Sequence, residues 1–463
     1  MLYVLFGITL VFLILNFMIT QGDYLHPSTL FCEIFALYEL TCIIGQSTYQ
    51  ITLHAETVYV MTCGFLAFTI GGILTNSSKS KTIKSACVSQ NQSVPYQYIH
   101  ISNYLVYALI IMQIITQFFF IKYLKAIATA WGSGGGSLGE MINLYDTMTK
   151  FWVTIFSNLN VTIPMVYRLL NPITSAGAWI ILYVAVNNFM VNRKVKFSHI
   201  IVVILLCTSI MLNGSRSPLL RVVTFVIIMI YILNYKKYRY RKGNFKFFFK
   251  LLFVMLCVSG LMIALLYLMG RSEKMTNVWR YIFTYTGAPI VNLDNFLQNN
   301  SIKMIGGNTT FWGEHTFYKG YAYLAKLLNL SFTNQIQKIG GFVTSNNGIE
   351  IGNVYTTYNV FAYDFGYLGI FPIIFVVALY YTKTYKKVLQ KKQLSKTIDF
   401  ELFIYAYLFN DLVMLPFSNR FYDTVFDAPF IKMIIIAWII RYALLYNKKM
   451  KISFGKRKLK VKL

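Results

Sequence analysis

Long apolar runs separated by short polar segments fill most of this chain. The runs lie at residues 2–19, 28–45, 57–74, 99–121, 172–191, 199–213, 217–234, 247–269, 357–381, 399–417 and 430–446. A helix that crosses the hydrocarbon core of a bilayer needs about 20 mostly apolar residues. The pattern therefore predicts an all-α polytopic membrane protein of about 11 transmembrane helices. The sixth and seventh runs are short and separated only by NGSRSP, a spacing that suits two spans or a hairpin that does not fully cross. Asn410 and Asp411 interrupt the tenth. Residues 151–170 are apolar and aromatic but contain Asn158, Asn160, Pro164 and Arg168; they read as a surface-lying or re-entrant segment. The first run has no basic stretch before it and no small-residue cleavage site after it, so it reads as a retained span. With no fixed-period repeat and no soluble domain, residues 1–463 read as a single membrane domain.

Composition agrees. Hydrophobic residues make up 56% of the chain and charged residues 13%, with mean hydropathy +0.54. A soluble domain carries about a quarter charged residues. The net charge of +27 would suit a nucleic acid, but the Lys and Arg residues flank apolar runs, where the positive-inside rule places them. No separate basic domain exists to hold a nucleic acid, and none is expected as a partner. The tail 447–463 holds eight basic residues, 235–250 seven, 382–398 six, 192–198 three and 75–98 three. With the spans above, all five fall on one side, which is then the cytoplasm. The N-terminus is expected outside and the basic tail inside. The outer side then receives 122–171, the 87-residue segment 270–356 and the short segment 418–429. The patches YIFTY and YAYLAKLL in the long segment read as short helices at the membrane interface, where Tyr and Trp are favoured. A loop this long without low complexity is usually functional.

Candidate chemistry is concentrated on that outer side. The six cysteines form no CxxC pair, so they read as small membrane-core residues rather than metal or redox sites. HExxH and outer DxD-like runs are absent from the sequence, and neither a metal nor a cofactor is indicated. The stretch GSGGGSLG at 132–139 lacks the GK[ST] ending of a phosphate loop. It reads as a flexible connector or as open backbone that approaches a sugar or diphosphate closely. Arg216 sits in a tight outer turn, with Arg221 five residues on. A pair of guanidinium forks there can hold a diphosphate; the plainer alternative is an interfacial anchor with a capping contact. The long segment adds Arg271, Arg280, Asp294, Glu314 and His315. Of five histidines only His54 and His315 lie on the outer side, and His54 sits in a short span connection. His315 beside Glu314 is either a proton acceptor or polar surface. Asp364, with Gly366 and Gly369 nearby, is an acidic group in a span. It is a functional candidate or a buried packing residue in equal measure. Asp411, Arg420, Asp423 and Asp427 gather around the last outer segment, and Arg420 is best placed to pair with a phosphate or with Asp364.

The stretches GSRSPLL at 214–220, YTGAPIVNLDNFL at 285–297 and NVYTTYNVFAYDFGYLG at 353–369, with many spans and one long outer loop before the last few, resemble bacterial Wzy-type polymerases of O-antigen and capsule repeat units. The resemblance implies a GT-C-like fold in the bacterial plasma membrane. It implies transfer of a growing glycan from undecaprenyl diphosphate to a fresh lipid-linked repeat unit on the outer side, without a cofactor. Undecaprenyl-diphosphate-linked oligosaccharides and membrane lipids are then partners, with a flippase and a chain-length regulator as associated proteins. The family's outer arginines are thought to bind donor diphosphate. The motif match carries that role to Arg216, and position alone carries it to Arg280, Arg420 and Asp364. Cations aimed at a departing diphosphate lower the barrier, and the acceptor hydroxyl needs a base within hydrogen-bond reach. His315, Glu314 and Asp364 all remain open as that base. The competing readings are a lipid-linked oligosaccharide flippase, an O-antigen ligase, a membrane O-acyltransferase, and a transporter or scaffold without enzymatic activity.

Overall fold

The computed structural model describes residues 1–76, 96–134, 136–215, 217–237, 277–329, 339–391, 394–395, 397–445, 451–454 and 457–460. Arg216, Arg271 and the apolar run at 247–269 lie outside the described residues. The helices are α1 (Leu2–Ile19), α2 (Pro27–Tyr49), α3 (Ala55–Asn76), α4 (Asn103–Ala130), α5 (Leu138–Lys150), α6 (Val153–Asn158), α7 (Met165–Asn192), α8 (Phe197–Leu212) and α9 (Ser217–Lys237). They continue with α10 (Val278–Thr286), α11 (Ala288–Asn299), α12 (Tyr318–Leu328), α13 (Tyr358–Gln390), α14 (Phe400–Val413), α15 (Arg420–Val425) and α16 (Ala428–Leu445). Strands β1 (Val343–Thr344) and β2 (Glu350–Gly352) form a small antiparallel pair. Among the described residues, seven helices are long and apolar enough to cross a membrane: α1, α2, α3, α4, α7, α9 and α13. The chain is a helical, multi-pass membrane protein.

One sequence expectation needs correcting. Residues 165–171 do not belong to a re-entrant segment but form the first two turns of α7, and only α6 remains as a separate short helix. The 28 residues of α7 make a rod about 42 Å long at about 1.5 Å per residue, against a hydrocarbon core of about 30 Å. The helix is thus longer than that layer is thick, and the polar residues near its start, among them the exposed Arg168, lower the score of a hydropathy window there.

The described chain divides into two compact units. The first comprises 1–94, 216–392 and 404–430, and the second 95–215, 393–403 and 431–463. In the first unit α1 turns Leu10, Val11, Ile14 and Met18 outward, as a lipid-facing helix should, and buries Thr9 and Asn16. These two are seven residues apart and so share a face. Thr9 donates to Glu39 Oε1 at 2.8 Å, and Asn16 Nδ2 donates to Thr69 Oγ1 at 2.8 Å. Close approach of α3 to α13 uses small residues: a side chain at Gly64 would strike the Tyr358 hydroxyl, and Gly71 faces Ala378 and Thr382.

The two ends of this unit differ in chemistry. At one end the α1–α2 connection meets the C-terminal turns of α9 and α13: Asp23 accepts from Tyr231 Oη at 2.5 Å and from Tyr385 Oη at 2.7 Å. Lys236 and Lys386 donate to backbone carbonyls there. The other end carries α10–α12, the β1–β2 pair, the starts of α3, α9 and α13, and α15. We call these the basic end and the loop end.

At the loop end α13 is broken. Gly366 adopts φ 70° and ψ 179° inside the helix, a conformation essentially reserved for glycine. The amides that the break frees are taken by the preceding loop: Tyr367 N donates to Lys303 O and Leu368 N to Met304 O, both at 3.1 Å. In return Asn308 N donates to Tyr363 O at 2.8 Å.

In the second unit, side-chain amides fasten α4 to α8: Gln117 Nε2 reaches Leu205 O at 2.7 Å and Gln113 Nε2 reaches Val202 O at 3.3 Å. Helix α5 starts on a capping box formed by Ser137 and Glu140, so the glycine-rich stretch ends as a helix cap. Its buried Asp146 lies against the Asn213–Gly214 turn, where Gly214 has φ +73° and a Cβ would stand 2.6 Å from Asp146 Cβ.

Gly366→Ala should lower stability by about 1–3 kcal/mol from backbone strain alone, and further because its Cβ would sit 2.6 Å from Lys303 O. Thermal unfolding of the detergent-solubilised protein reads this. An unchanged midpoint would mean that the break tolerates a side chain.

Candidate functional site

The sequence singled out charged residues that the fold gathers at the loop end of the first unit. Helix α9 places Arg221 one turn from its start, and the 404–413 part of α14 presents Tyr407, Asn410 and Asp411 on one face, at the spacing of three and four residues that shares a face. Arg221 Nη2 donates to Asp411 Oδ1 at 2.5 Å and to Thr424 Oγ1 at 3.2 Å, and Nη1 donates to Tyr407 Oη at 3.0 Å. Its guanidinium also lies over the Tyr407 ring, 4.6 Å from the centroid. Thr224, one turn further, bonds Asn410 Oδ1 at 3.4 Å. The two polar residues that interrupt the tenth apolar run are thus the partners of α9. Asp411 is wholly buried, and the pair neutralises a charge that lipid would not accept alone.

Arg420 opens α15. Its guanidinium carbon lies 5.4 Å above the Phe417 ring. Among the described residues its buried Nε has no hydrogen-bond partner. Burial pushes this guanidinium below its usual range, opposed by Asp423 and Asp411, while Arg221 adds repulsion. It remains a cation at any physiological pH. Burial likewise pushes the Asp423 carboxyl from its usual 3.8 up to about 6, against the pull of Lys319 and Arg420. Lys319 pairs with Asp427 at 3.3 Å.

Asp364 is placed differently from Arg420. Only 2% exposed, it accepts the backbone amides of His315 at 3.1 and 3.2 Å and of Thr316 at 2.5 Å. Asn419 Nδ2 then donates to Thr316 O at 3.0 Å, which ties the same loop turn to the residue before Arg420. Glu314 accepts Thr310 N at 3.0 Å. The His315 ring packs edge-on against Tyr363 at 5.3 Å. Phe317 packs against Tyr422 and Phe426. Two of the three candidate bases therefore use their oxygens to fold the loop that covers α13 and α15. Arg280 is exposed and donates to Glu350 O at 3.0 Å, holding α10 to β2. It shares the loop end with Arg420. Arg216 lies outside the described residues.

Two groupings were not anticipated. Glu39, fully buried within α2 and bonded to Thr9, carries a signal that the rule for acidic groups in spans would have found. His54 is joined to Asp294 at 2.8 Å, a pairing with no local sequence signal.

Replacing Asp411 by Ala should cost about 3–5 kcal/mol, because it leaves Arg221 buried and uncompensated. Removing both charges with apolar residues, Arg221→Met with Asp411→Leu, should recover most of it. Penalties that simply add in denaturant unfolding would show that the two do not act as a unit. Asp423 gives a second expectation. Its folded value lies above its ordinary one, so as pH falls the folded protein binds this proton before the unfolded chain does. Stability gains from this group as pH drops through about 6 toward 3.8, and that gain is lost again as pH rises. Asp423→Asn should flatten this part of the stability–pH curve; a curve identical to the parent's would contradict the assignment. No family model, curated protein or solved structure matches the chain.

Proposed function

We propose that the chain is a glycosyltransferase of the bacterial plasma membrane that polymerises undecaprenyl-diphosphate-linked oligosaccharide repeat units. In this reading it has eleven spans in a GT-C-like arrangement, the loop end faces outward, and the C-terminus is cytoplasmic. The lysines at the basic end, Lys236, Lys386 and their neighbours, support that orientation.

The observation that carries the reading is Arg420: a half-buried arginine at the loop end that, unlike Arg221, forms no ion pair or side-chain hydrogen bond among the described residues, and whose Nε is buried. A diphosphate supplies the missing acceptor oxygens and the opposite charge. Arg221, already neutralised by Asp411, holds α9 and α14 in register beside it. Asp423 is protonated more readily when an anion occupies this place, so the cluster can turn net cationic as substrate binds. In catalysis the leaving group is the diphosphate, whose charge grows as the glycosyl bond breaks. A fixed cation that needs no reorganisation stabilises that charge most where water is scarce. The growing chain on its lipid is the donor and a fresh lipid-linked unit the acceptor. Flippase and chain-length regulator proteins are the expected neighbours. A flippase would instead want charges lining a cavity at mid-depth. Among the described residues of the first unit, Arg221, Arg280 and Arg420 all lie at the loop end, and the mid-helix acid Glu39 is closed in by packing.

Purified protein given a synthetic undecaprenyl-diphosphate-linked repeat unit should form a ladder of longer glycans without added nucleotide sugar. Arg420→Lys should cut the rate about 10²–10³-fold, the usual cost of losing one charge-stabilising donor. Absence of a ladder from the parent protein would overturn the polymerase reading.

A further inference from the structure

The acceptor hydroxyl must give up a proton, and two of the three bases singled out from sequence are poorly free to take it, while the ring of the third, His315, packs edge-on against Tyr363 with no carboxylate to fix its tautomer among the described residues. Asp364 spends its oxygens on the amides of His315 and Thr316, and Glu314 bonds the amide of Thr310. Elsewhere at the loop end, however, lies a histidine held as a base is held. His54 occupies the α2–α3 connection, directly before α3. Asp294, on α11 and 1% exposed, receives His54 Nδ1 at 2.8 Å, His54 N at 2.8 Å and Thr57 Oγ1 at 2.6 Å. The carboxylate is thereby fixed from three directions. With Nδ1–H donating to it, the lone pair of the ring is on Nε2. The imidazole itself is half exposed, at 51%, while its carboxylate partner is buried. A buried acid that fixes the tautomer of an accessible imidazole is the arrangement that general-base catalysis requires.

A purely structural account explains less. An external cap for α3 needs only the His54 amide and the Thr57 hydroxyl, and the bond to the ring adds nothing to it. The position also suits the chemistry. Helices α3 and α13 run side by side from this end, with Tyr59 and Tyr367 in edge-on contact at 6.1 Å. His54 thus opens onto the same end of the unit as Arg420.

We propose that His54 removes the proton from the acceptor hydroxyl and that Asp294 positions it, an assignment that rests on the polymerase reading above. The acceptor O–H bond breaks and its proton passes to Nε2. The freed oxygen pair forms the new bond to the anomeric carbon of the donor. The bond from that carbon to the diphosphate oxygen breaks, and its electron pair leaves with the diphosphate. The imidazolium is stabilised by Asp294 until it returns its proton to water at its exposed edge.

The test uses the purified full-length protein and the lipid-linked repeat unit. His54→Ala should lower turnover about 10²–10⁴-fold, with the half-saturating substrate concentration little changed. Added imidazole should restore part of the rate, which a structural role would not allow. His54→Gln should show the same loss, and Asp294→Asn a loss in turnover rather than in substrate affinity. Thermal midpoints of both His54 variants should stay near the parent's. Turnover of His54→Ala within threefold of the parent, or a loss that imidazole does not relieve, overturns the assignment. If the parent makes a ladder while His54→Ala is unaffected, the base assignment alone falls. If the parent makes none, both fall together.

Discussion

A guanidinium removed from water without a hydrogen-bonding partner is costly, because its charge loses solvation and gains nothing in exchange. Arg420 bears part of that cost: it is half-buried over Phe417, and among the described residues its buried Nε has no partner. Its neighbour Arg221 also leaves Nε without a partner among the described residues, but its two Nη nitrogens are taken by Asp411, Tyr407 and Thr424. The contrast between the two is the physical basis for placing an anion at the loop end. Under the polymerase reading, one arginine is part of the frame and the other is left for the diphosphate.

The frame around Arg420 depends on carboxylates used as backbone acceptors. Asp364 gathers two amides of the loop turn, and Asn419 grips the carbonyl of the same turn. The break at Gly366 completes this fastening, since the loop carbonyls of Lys303 and Met304 take the amides that an unbroken helix would have used internally. Irregular backbone at a helix end is tolerated where protein rather than lipid surrounds it. The loop, α13 and α15 consequently form one fixed wall beside the arginines. Under the polymerase reading, that wall holds a departing diphosphate in place.

The helices were legible because lipid imposes a length and a composition that a sequence must display. A helix occupies each of the ten apolar runs that fall among the described residues. Residues 165–171 belong to a helix longer than an apolar run need be, and the polar residues Arg168 and Asn171 hide its first turns from a hydropathy pattern. Single charged residues were legible too: Asp364, Arg420 and Asp411 all stood out against apolar surroundings. Their partners were not. Asp411 lies 190 residues from Arg221, and Asp294 lies 240 from His54; no local period announces either pair. The same blindness made Glu314 and Asp364 look like free bases, because the amides that occupy them come from the fold.

Diphosphate binding by Arg420 is the central claim. Native mass spectrometry of the purified protein with undecaprenyl diphosphate, and with undecaprenol as a control lacking phosphates, measures this directly. The parent protein should retain the diphosphate lipid, Arg420→Gln should lose it, and neither should retain the alcohol. Equal retention of the diphosphate lipid by Arg420→Gln and the parent would contradict the claim.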